Sequence, residues 1–399
     1  MIGEMSLSTA GLRMDTGNPQ IEAVELMMLD LHLSRPVVTS YGVEDARPVV
    51  IARIITSVFD GYGECAALAR QLYSEESAAG AFAVIEDELL PQLAAWSSGH
   101  GGRLPGMREI GEIFGYVPGN PMAKACIEMA VLDAWLRAAG ASFGRWLGVR
   151  DDEADAGAVV GITGGIGELL DRVNDLARSG CRRVKIKISP LRDIEPVRVV
   201  RDTFPRLSLC VDANGSYDQD SMYRIEQMDG MGLAFIEQPF KRDDLQLSAR
   251  LASILDTPVC LDESLGSLAD LDRASRLEAL DVACIKPARM GGIGPALEAL
   301  SYCVDRGIGT YIGGMYDTGL GRRANTALAC LGLTGYPADL GGGELFVEGD
   351  PFGPLVVKEG KVRLHGDAGI APVPPAGFLS ARCSKRKTLR MPGHRSAGR

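Results

Sequence analysis

Five charged residues close five short apolar runs between residues 185 and 286. Lys187 closes Arg-Arg-Val-Lys-Ile-Lys, Asp212 closes Leu-Ser-Leu-Cys-Val-Asp, and Glu237 closes Leu-Ala-Phe-Ile-Glu. Asp262 closes Val-Cys-Leu-Asp, and Lys286 closes Val-Ala-Cys-Ile-Lys. The steps between them are 25, 25, 25 and 24 residues. Such a period holds one strand, one helix and two short loops. One ionisable group therefore stands at the end of each successive parallel strand, the layout in which a (β/α) barrel gathers reactive groups at one rim.

The residue types define a chemistry. Asp212, Glu237 and Asp262 at one rim repel one another unless a cation lies between them. Oxygen donors suit a hard dication, Mg²⁺ first and Mn²⁺ as the alternative. Lys185 and Lys187 lie two apart on a strand and project to one side. Facing the lumen, each lowers the pKa of the other, which makes a neutral lysine base available near pH 7. On an exposed edge strand the same pair would only be solvated. Lys286 ends a strand across the barrel. Together these groups suit removal of a proton next to a carboxylate, with a dication to stabilise the enolate.

The elements that must position these groups follow from the pattern. Residues 1–20 are polar and read as a flexible leader. Residues 24–33 and 48–58 read as strands, 35–42 as a loop, and 74–96 and 123–138 as helices. Residues 21–145 thus form an α+β capping domain. A polar link, 151–155, precedes strand–helix alternation with eight strand positions over 150–345. The predicted fold class is α/β, a barrel with a capping domain. Residues 346–378 read as short strands returning to the first domain. Residues 380–399 hold seven Lys or Arg, no acid and almost no apolar side chain to dock, and read as a basic disordered tail.

Composition excludes several classes. The net charge is −10, and the basic tail makes the preceding body more acidic still, which excludes nucleic acid as the main partner. No apolar run reaches the roughly 18 residues of a membrane span. The nine cysteines are scattered and form no CxxC pair, which excludes a zinc ribbon or disulfide framework and suits a cytoplasmic location. No Walker or Gly-x-Ser-x-Gly motif is present.

Beyond this pattern, the chain resembles the enolase superfamily. The motifs are Lys185-Ile-Lys187, Val211-Asp212-Ala213-Asn214, Ile236-Glu237-Gln238-Pro239, Leu261-Asp262-Glu263-Ser264, and Ile285-Lys286-Pro287 with Arg289 and Gly291-Gly292. Within the muconate-lactonising subgroup it is most similar to o-succinylbenzoate synthases and N-acylamino acid racemases, through the run Gly313–Asn325 and through Thr39-Ser40-Tyr41-Gly42 and Gly63-Glu64-Cys65. The resemblance covers roughly residues 22–375. It implies a capping domain over a (β/α)₇β modified TIM barrel, with Mg²⁺ on Asp212, Glu237 and Asp262. It also implies Lys187 and Lys286 as the acid/base pair, Lys185 as their electrostatic partner, and a dimer or octamer. A small-molecule carboxylate is the implied substrate. The reaction is either dehydration to o-succinylbenzoate or racemisation of N-acylamino acids. Dipeptide epimerisation and muconate cycloisomerisation are related alternatives, and a non-catalytic binding barrel is the remote one. With His32, His100, His365 and His394 as the only histidines, the His–Asp pair of the mandelate-racemase-like branch is absent.

Departures from the family pattern fall around the substrate. Asp317 stands where Glu is usual, Tyr316 where an aliphatic residue is usual, and Thr163 where Ser is common. Pro190-Leu191-Arg192-Asp193 replaces Pro-Gly-Trp-Asp. The resemblance implies a pocket lined by Thr163, Gly314, Met315, Tyr316 and Asp317, with capping loops that bring Tyr41, Leu68 and Tyr73 to its mouth; ordinary loop packing is the other reading of those three. Asn214 is a candidate to support the metal or Lys187, and Glu263 alternates away from Asp262 into a supporting place. Arg322 and Arg323 read as solvent-exposed, with a substrate carboxylate as the other possible partner.

Overall fold

A computed structural model describes residues 18–39, 42–341 and 345–391. Three strands open the chain: β1 (Ile21–Thr39), β2 (Gly42–Thr56) and β3 (Gly61–Cys65). They form an antiparallel sheet that packs on the helix Pro121–Ala138. Apolar residues run almost all round that helix, so it is buried between the sheet and the second part of the molecule.

Eight parallel strands follow. They are β4 (Glu153–Val160), β5 (Arg183–Lys187), β6 (Ser208–Asp212), β7 (Ile236–Glu237), β8 (Val259–Leu261), β9 (Val282–Ile285), β10 (Gly309–Ile312) and β11 (Ala338–Asp339). Helices lie between successive strands, giving the (β/α)₇β order. The ladder runs unbroken from β10 through β9 and on to β4, and β11 pairs with the other side of β4. Between β10 and β11 the loop supplies backbone bonds instead, with Gly335 N donating to Thr310 O at 2.9 Å.

The strands place side chains alternately on the two faces. Cys210, Phe235, Cys260, Cys284 and Tyr311 form one buried layer inside the barrel. Two residues further along each strand come Asp212, Glu237, Asp262, Lys286 and Gly313, one level nearer the mouth. This layer accounts for three of the cysteines as small interior apolar groups. In β5 the alternation is sharper. Val184 and Ile186 pack outward on the helices, while Arg183, Lys185 and Lys187 take the inward positions.

Several expectations are corrected. The loop expected at 35–42 is strand up to Thr39, pairing with β2 from Gly42. Pro36 is tolerated because the register shifts between His32 and Val37. The polar link is partly strand, since Glu153 begins β4. The returning segment forms a hairpin, β12 (Val357–Lys358) and β13 (Lys361–Arg363), that pairs with barrel strand β4. It still touches the first part of the chain elsewhere, as Ile370 N donates to Asp133 at 2.7 Å. The basic tail is not disordered as far as Arg390, because Cys383–Arg390 forms β14 on the outer edge of β1. Its side chains are mostly exposed, and the backbone is what docks. No described helix is long and apolar enough to cross a membrane.

Candidate active site

Around the rim, in strand order, stand Lys187, Asp212, Glu237, Asp262 and Lys286. The three acids are 1%, 0% and 1% exposed. Each terminal lysine binds the acid next to it: Lys187 Nζ lies 2.6 Å from Asp212 Oδ2, and Lys286 Nζ lies 2.8 Å from Asp262 Oδ2. Gly313 makes room for this, since a Cβ there would meet Lys286 Cε at 2.8 Å.

Lys185 lies deeper. Its ammonium binds Glu237 (2.9 and 3.0 Å), Tyr311 Oη (3.1 Å) and Asp339 (2.9 Å). Burial opposes its charge, but Asp339, Glu237 and Asp212 outweigh burial and hold it well above the usual lysine range. The expected mutual depression of Lys185 and Lys187 is therefore corrected for Lys185. The two amines reach different carboxylates, and Lys185 is a fixed cation. Arg183 below it binds Asp339 at 2.5 Å, and Lys185 together with Arg183 holds Asp339 well below the usual carboxylate range against the effect of burial.

The acids are unequal. Burial, with Asp212 beside it, pushes Glu237 up to about 8. Asp262 is also buried, yet Arg289, Lys286 and Lys185 hold it well below the usual range. Ligand atoms of Glu237, Asp262 and Cys284 lie within 4.8 Å of one another. A carboxylate forced to hold its proton at neutral pH, beside two more acids, fits a site built for an oxygen-bound dication.

Supporting groups close the site. Asn214 Oδ1 accepts from Lys187 Nζ (2.7 Å), and its amide donates to Glu263 (2.8 Å). Glu263 is thus nearer the reacting groups than strand alternation suggested, because the chain turns after β8. Burial and Asp262 push Glu263 up to about 7. Gln238 Oε1 accepts the backbone N–H of Asp262 at 2.9 Å and fixes its approach.

The pocket assignments divide. Tyr73 reaches in from the loop after β3, with its hydroxyl 3.2 Å from Asp262 and 3.0 Å from Lys286 Nζ. Met315 S lies 3.8 Å from Lys286 Nζ. Asp317 accepts from Met315 N (2.9 Å) and Asn325 (3.2 Å), and burial with Glu64 nearby pushes it up to about 7. Gly314 and Asp317 line a cavity of about 20 Å³ behind Lys286, the size of one water. Tyr316 has φ +32 and is half-buried, near Lys187 and Lys286. Thr163 instead turns its hydroxyl onto its own loop, at Gly165 O (3.0 Å). Tyr41 lies outside the described residues. Arg322 is buried, not exposed, and donates to Leu340 O at 2.7 Å, while Arg323 holds the carbonyls of Phe352 and Gly353.

Sequence reading missed Asp339, Tyr311 and Cys284. Asp339 ends the eighth strand and obeys the same strand-end rule as the other acids. Tyr311 and Cys284 lie two residues before rim positions, where the barrel interior continues.

Such a barrel, with a carboxylate cluster between two lysines and an antiparallel sheet beside it, defines a class of fold and site. Residues 168–371 match the family described as Enolase C-terminal domain-like, and the chain belongs to that family and to the enolase superfamily. It is similar to an N-succinylamino acid racemase from Amycolatopsis, 37% identical over 358 residues, which are 89% of this chain and 96% of that protein. It is similar to an o-succinylbenzoate synthase from Listeria innocua, 34% identical over 88% of this chain and 92% of that one. A crystal structure of an enolase-superfamily member from Listeria innocua superposes with a TM-score of 0.87 at 31% identity, covering 94% of this chain and 100% of the other.

Proposed function

We propose that this protein removes a proton from the carbon next to a carboxylate with the help of Mg²⁺, or Mn²⁺ in its place, as an o-succinylbenzoate synthase, an N-acylamino acid racemase or both. The observation that carries this reading is the rim order itself: lysine, three acids, lysine. Asp212, Glu237 and Asp262 would hold the dication. Bound there, it would neutralise the acids and draw off the negative charge that develops on the substrate carboxylate. Lys187 and Lys286 then flank the substrate carbon from opposite sides, one taking the proton and the other able to return it. Asn214 keeps Lys187 aimed, and Lys185 balances the acids from below. Met315, Tyr316 and the loop bearing Tyr73 enclose the substrate and exclude water. We place the enzyme in the cytoplasm, in keeping with nine free cysteines, and infer a homo-oligomer, a dimer or octamer.

Racemisation needs both lysines, whereas dehydration needs one amine acting as base and then as acid. In heavy water with Mg²⁺, both enantiomers of an N-succinylamino acid should exchange the α-hydrogen. Lys187→Ala should lower exchange or dehydration by at least ~10²-fold. Full activity in that variant would remove Lys187 from the mechanism. Turnover of the cyclohexadiene precursor without exchange of either enantiomer would leave dehydration alone.

A further inference from the structure

Cys284, on β9 two residues before Lys286, stands in the barrel layer just below the rim and is fully buried. Two other thiols of that layer bind backbone: Cys210 Sγ donates to Val184 O and Cys260 Sγ to Leu261 O, each at 3.8 Å. Cys284 Sγ makes no hydrogen bond among the described residues. It lies beside the acids instead. Its sulfur, an oxygen of Glu237 and an oxygen of Asp262 are all within 4.8 Å of one another. That separation is close to the span of two bonds of about 2.0–2.3 Å to one ion, the lengths of zinc–oxygen and zinc–sulfur bonds. Gly313, just past the end of β10, leaves the sulfur this place, since a Cβ there would meet Cys284 Sγ at 2.5 Å.

Two donor sets therefore overlap. Asp212, Glu237 and Asp262 offer oxygen alone and suit Mg²⁺ or Mn²⁺. Glu237, Asp262 and Cys284 offer two oxygens and one sulfur, a set for a softer ion with water as its fourth ligand.

We propose that Glu237, Asp262 and Cys284 form a second metal site, overlapping the first, for a thiophilic dication, Zn²⁺ or Cd²⁺. Both sites use Glu237 and Asp262, so one ion excludes the other. Binding forms a metal–sulfur bond, breaks the S–H bond and releases the proton to solvent. Until then the thiol keeps its proton, because burial, with Asp262 beside it, pushes it well above the usual range. The soft ion competes with Lys185 for Glu237 and with Lys286 and Arg289 for Asp262, as the hard ion must. The proposal shares two acids with the proposed function but needs neither substrate nor turnover.

Cadmium tests this on the full chain, freed of metal with a chelator and kept reduced by a phosphine. Titration with Cd²⁺ should show one tightly bound equivalent per chain and a thiolate-to-metal absorption band in the ultraviolet. The cadmium-113 resonance should lie downfield of the all-oxygen range. Excess Mg²⁺ should remove the band. Cys284→Ser should abolish it and, by calorimetry, weaken Cd²⁺ binding at least ~10-fold more than Mg²⁺ binding, because only the soft ion uses sulfur. Cys383→Ser, which removes the one cysteine that is not buried, should keep the band. A missing band, a resonance in the all-oxygen range, a band that survives Cys284→Ser, or one that Mg²⁺ leaves untouched overturns the proposal. If Cys284→Ser fails to fold, the wild-type resonance and its competition with Mg²⁺ decide. Loss of α-hydrogen exchange in Mg²⁺-loaded wild type would overturn the proton-abstraction reading alone.

Discussion

Glu237 shows how strongly one residue depends on what fills the rim. With its carboxyl held near 8 instead of its ordinary 4.5, the folded chain keeps a proton that the unfolded chain releases. For a group raised in this way, the stabilising effect is full below about 4.5 and is lost as pH rises through about 8. Asp262 and Asp339 are held low, so their contributions stay constant over that window. Chelator-treated protein should therefore melt at a lower temperature at pH 8.5 than at pH 6.5. The gap between Mg²⁺-loaded and chelated melting temperatures should widen over the same range, because metal and proton compete for the carboxylate. Glu237→Gln should make the chelated curve less steep, leaving the part contributed by Glu263, Asp317 and Glu128, each raised to about 7. A gap that stays constant with pH would show that Glu237 does not hold this proton. The strand-end rule made Glu237 legible in the sequence, since period and residue type coincide. The same rule missed Asp339, because the run before it, Tyr336-Pro337-Ala338, carries a proline and little apolar side chain and leads on into glycines. Tyr73 meets Asp262 across 189 residues of chain, and its place beside that acid follows from no repeat.

At the scale of elements, β14 is where composition misled. A segment of lysines and arginines offers little to bury, yet β1 presents an open edge, and seven residues of β1 pair with β14. Backbone bonding needs no apolar side chain. Two do arrive at the end: Leu389 packs on the core between the antiparallel sheet and its helices, and Met391 is 4% exposed. Deleting residues 383–399 should destabilise the sheet by about 3 kcal/mol, the scale of burying one or two large side chains, and leave β1 open to association. Urea midpoints and light scattering would measure both effects. Lys385 and Lys387, both exposed, pair with the half-buried Glu86 and should matter little when replaced by Ala, because pairs at the surface are screened by water. An unchanged midpoint after the deletion would mean that β14 adds nothing to the sheet. By contrast, the barrel strands were legible because their runs are buried on both faces. β5 was the exception, and its inward stripe of Arg183, Lys185 and Lys187 marked the polar interior.

At the scale of the whole molecule, the antiparallel part is fastened to the barrel by carboxylates placed at barrel helix starts. Glu64 on β3 accepts from Thr318 N (2.9 Å) and Gly321 N (3.1 Å) at the start of the helix Gly319–Ala329. Glu128 accepts from Gly294 N (2.9 Å) and from Ile293 N at the start of the helix Ile293–Arg306. Both acids satisfy helix N–H groups that have no partner within the helix. Gly292 makes the second contact possible. Its φ of +142 favours glycine, and a Cβ there would collide with the Glu128 carboxylate. Two separate costs thus fall on Gly292→Ala, backbone strain and the collision, and only the second depends on Glu128. Gly292→Ala should cost more stability in wild type than in Glu128→Ala, with a coupling of about 1–3 kcal/mol between the two positions. Since this contact seats the helix Pro121–Ala138, on which the sheet packs and whose first N–H groups hold Glu76 close to Tyr73, kcat/KM should fall with Gly292→Ala and recover in part in the double variant. Burial also pushes Glu128 up to about 7, so its stabilising effect is full below about 4.5 and fades as pH rises through 7. Glu128→Gln should remove that fade between pH 5 and 8. Additive effects of Gly292→Ala and Glu128→Ala would mean that the two positions do not meet and that the sheet is held to the barrel by other contacts.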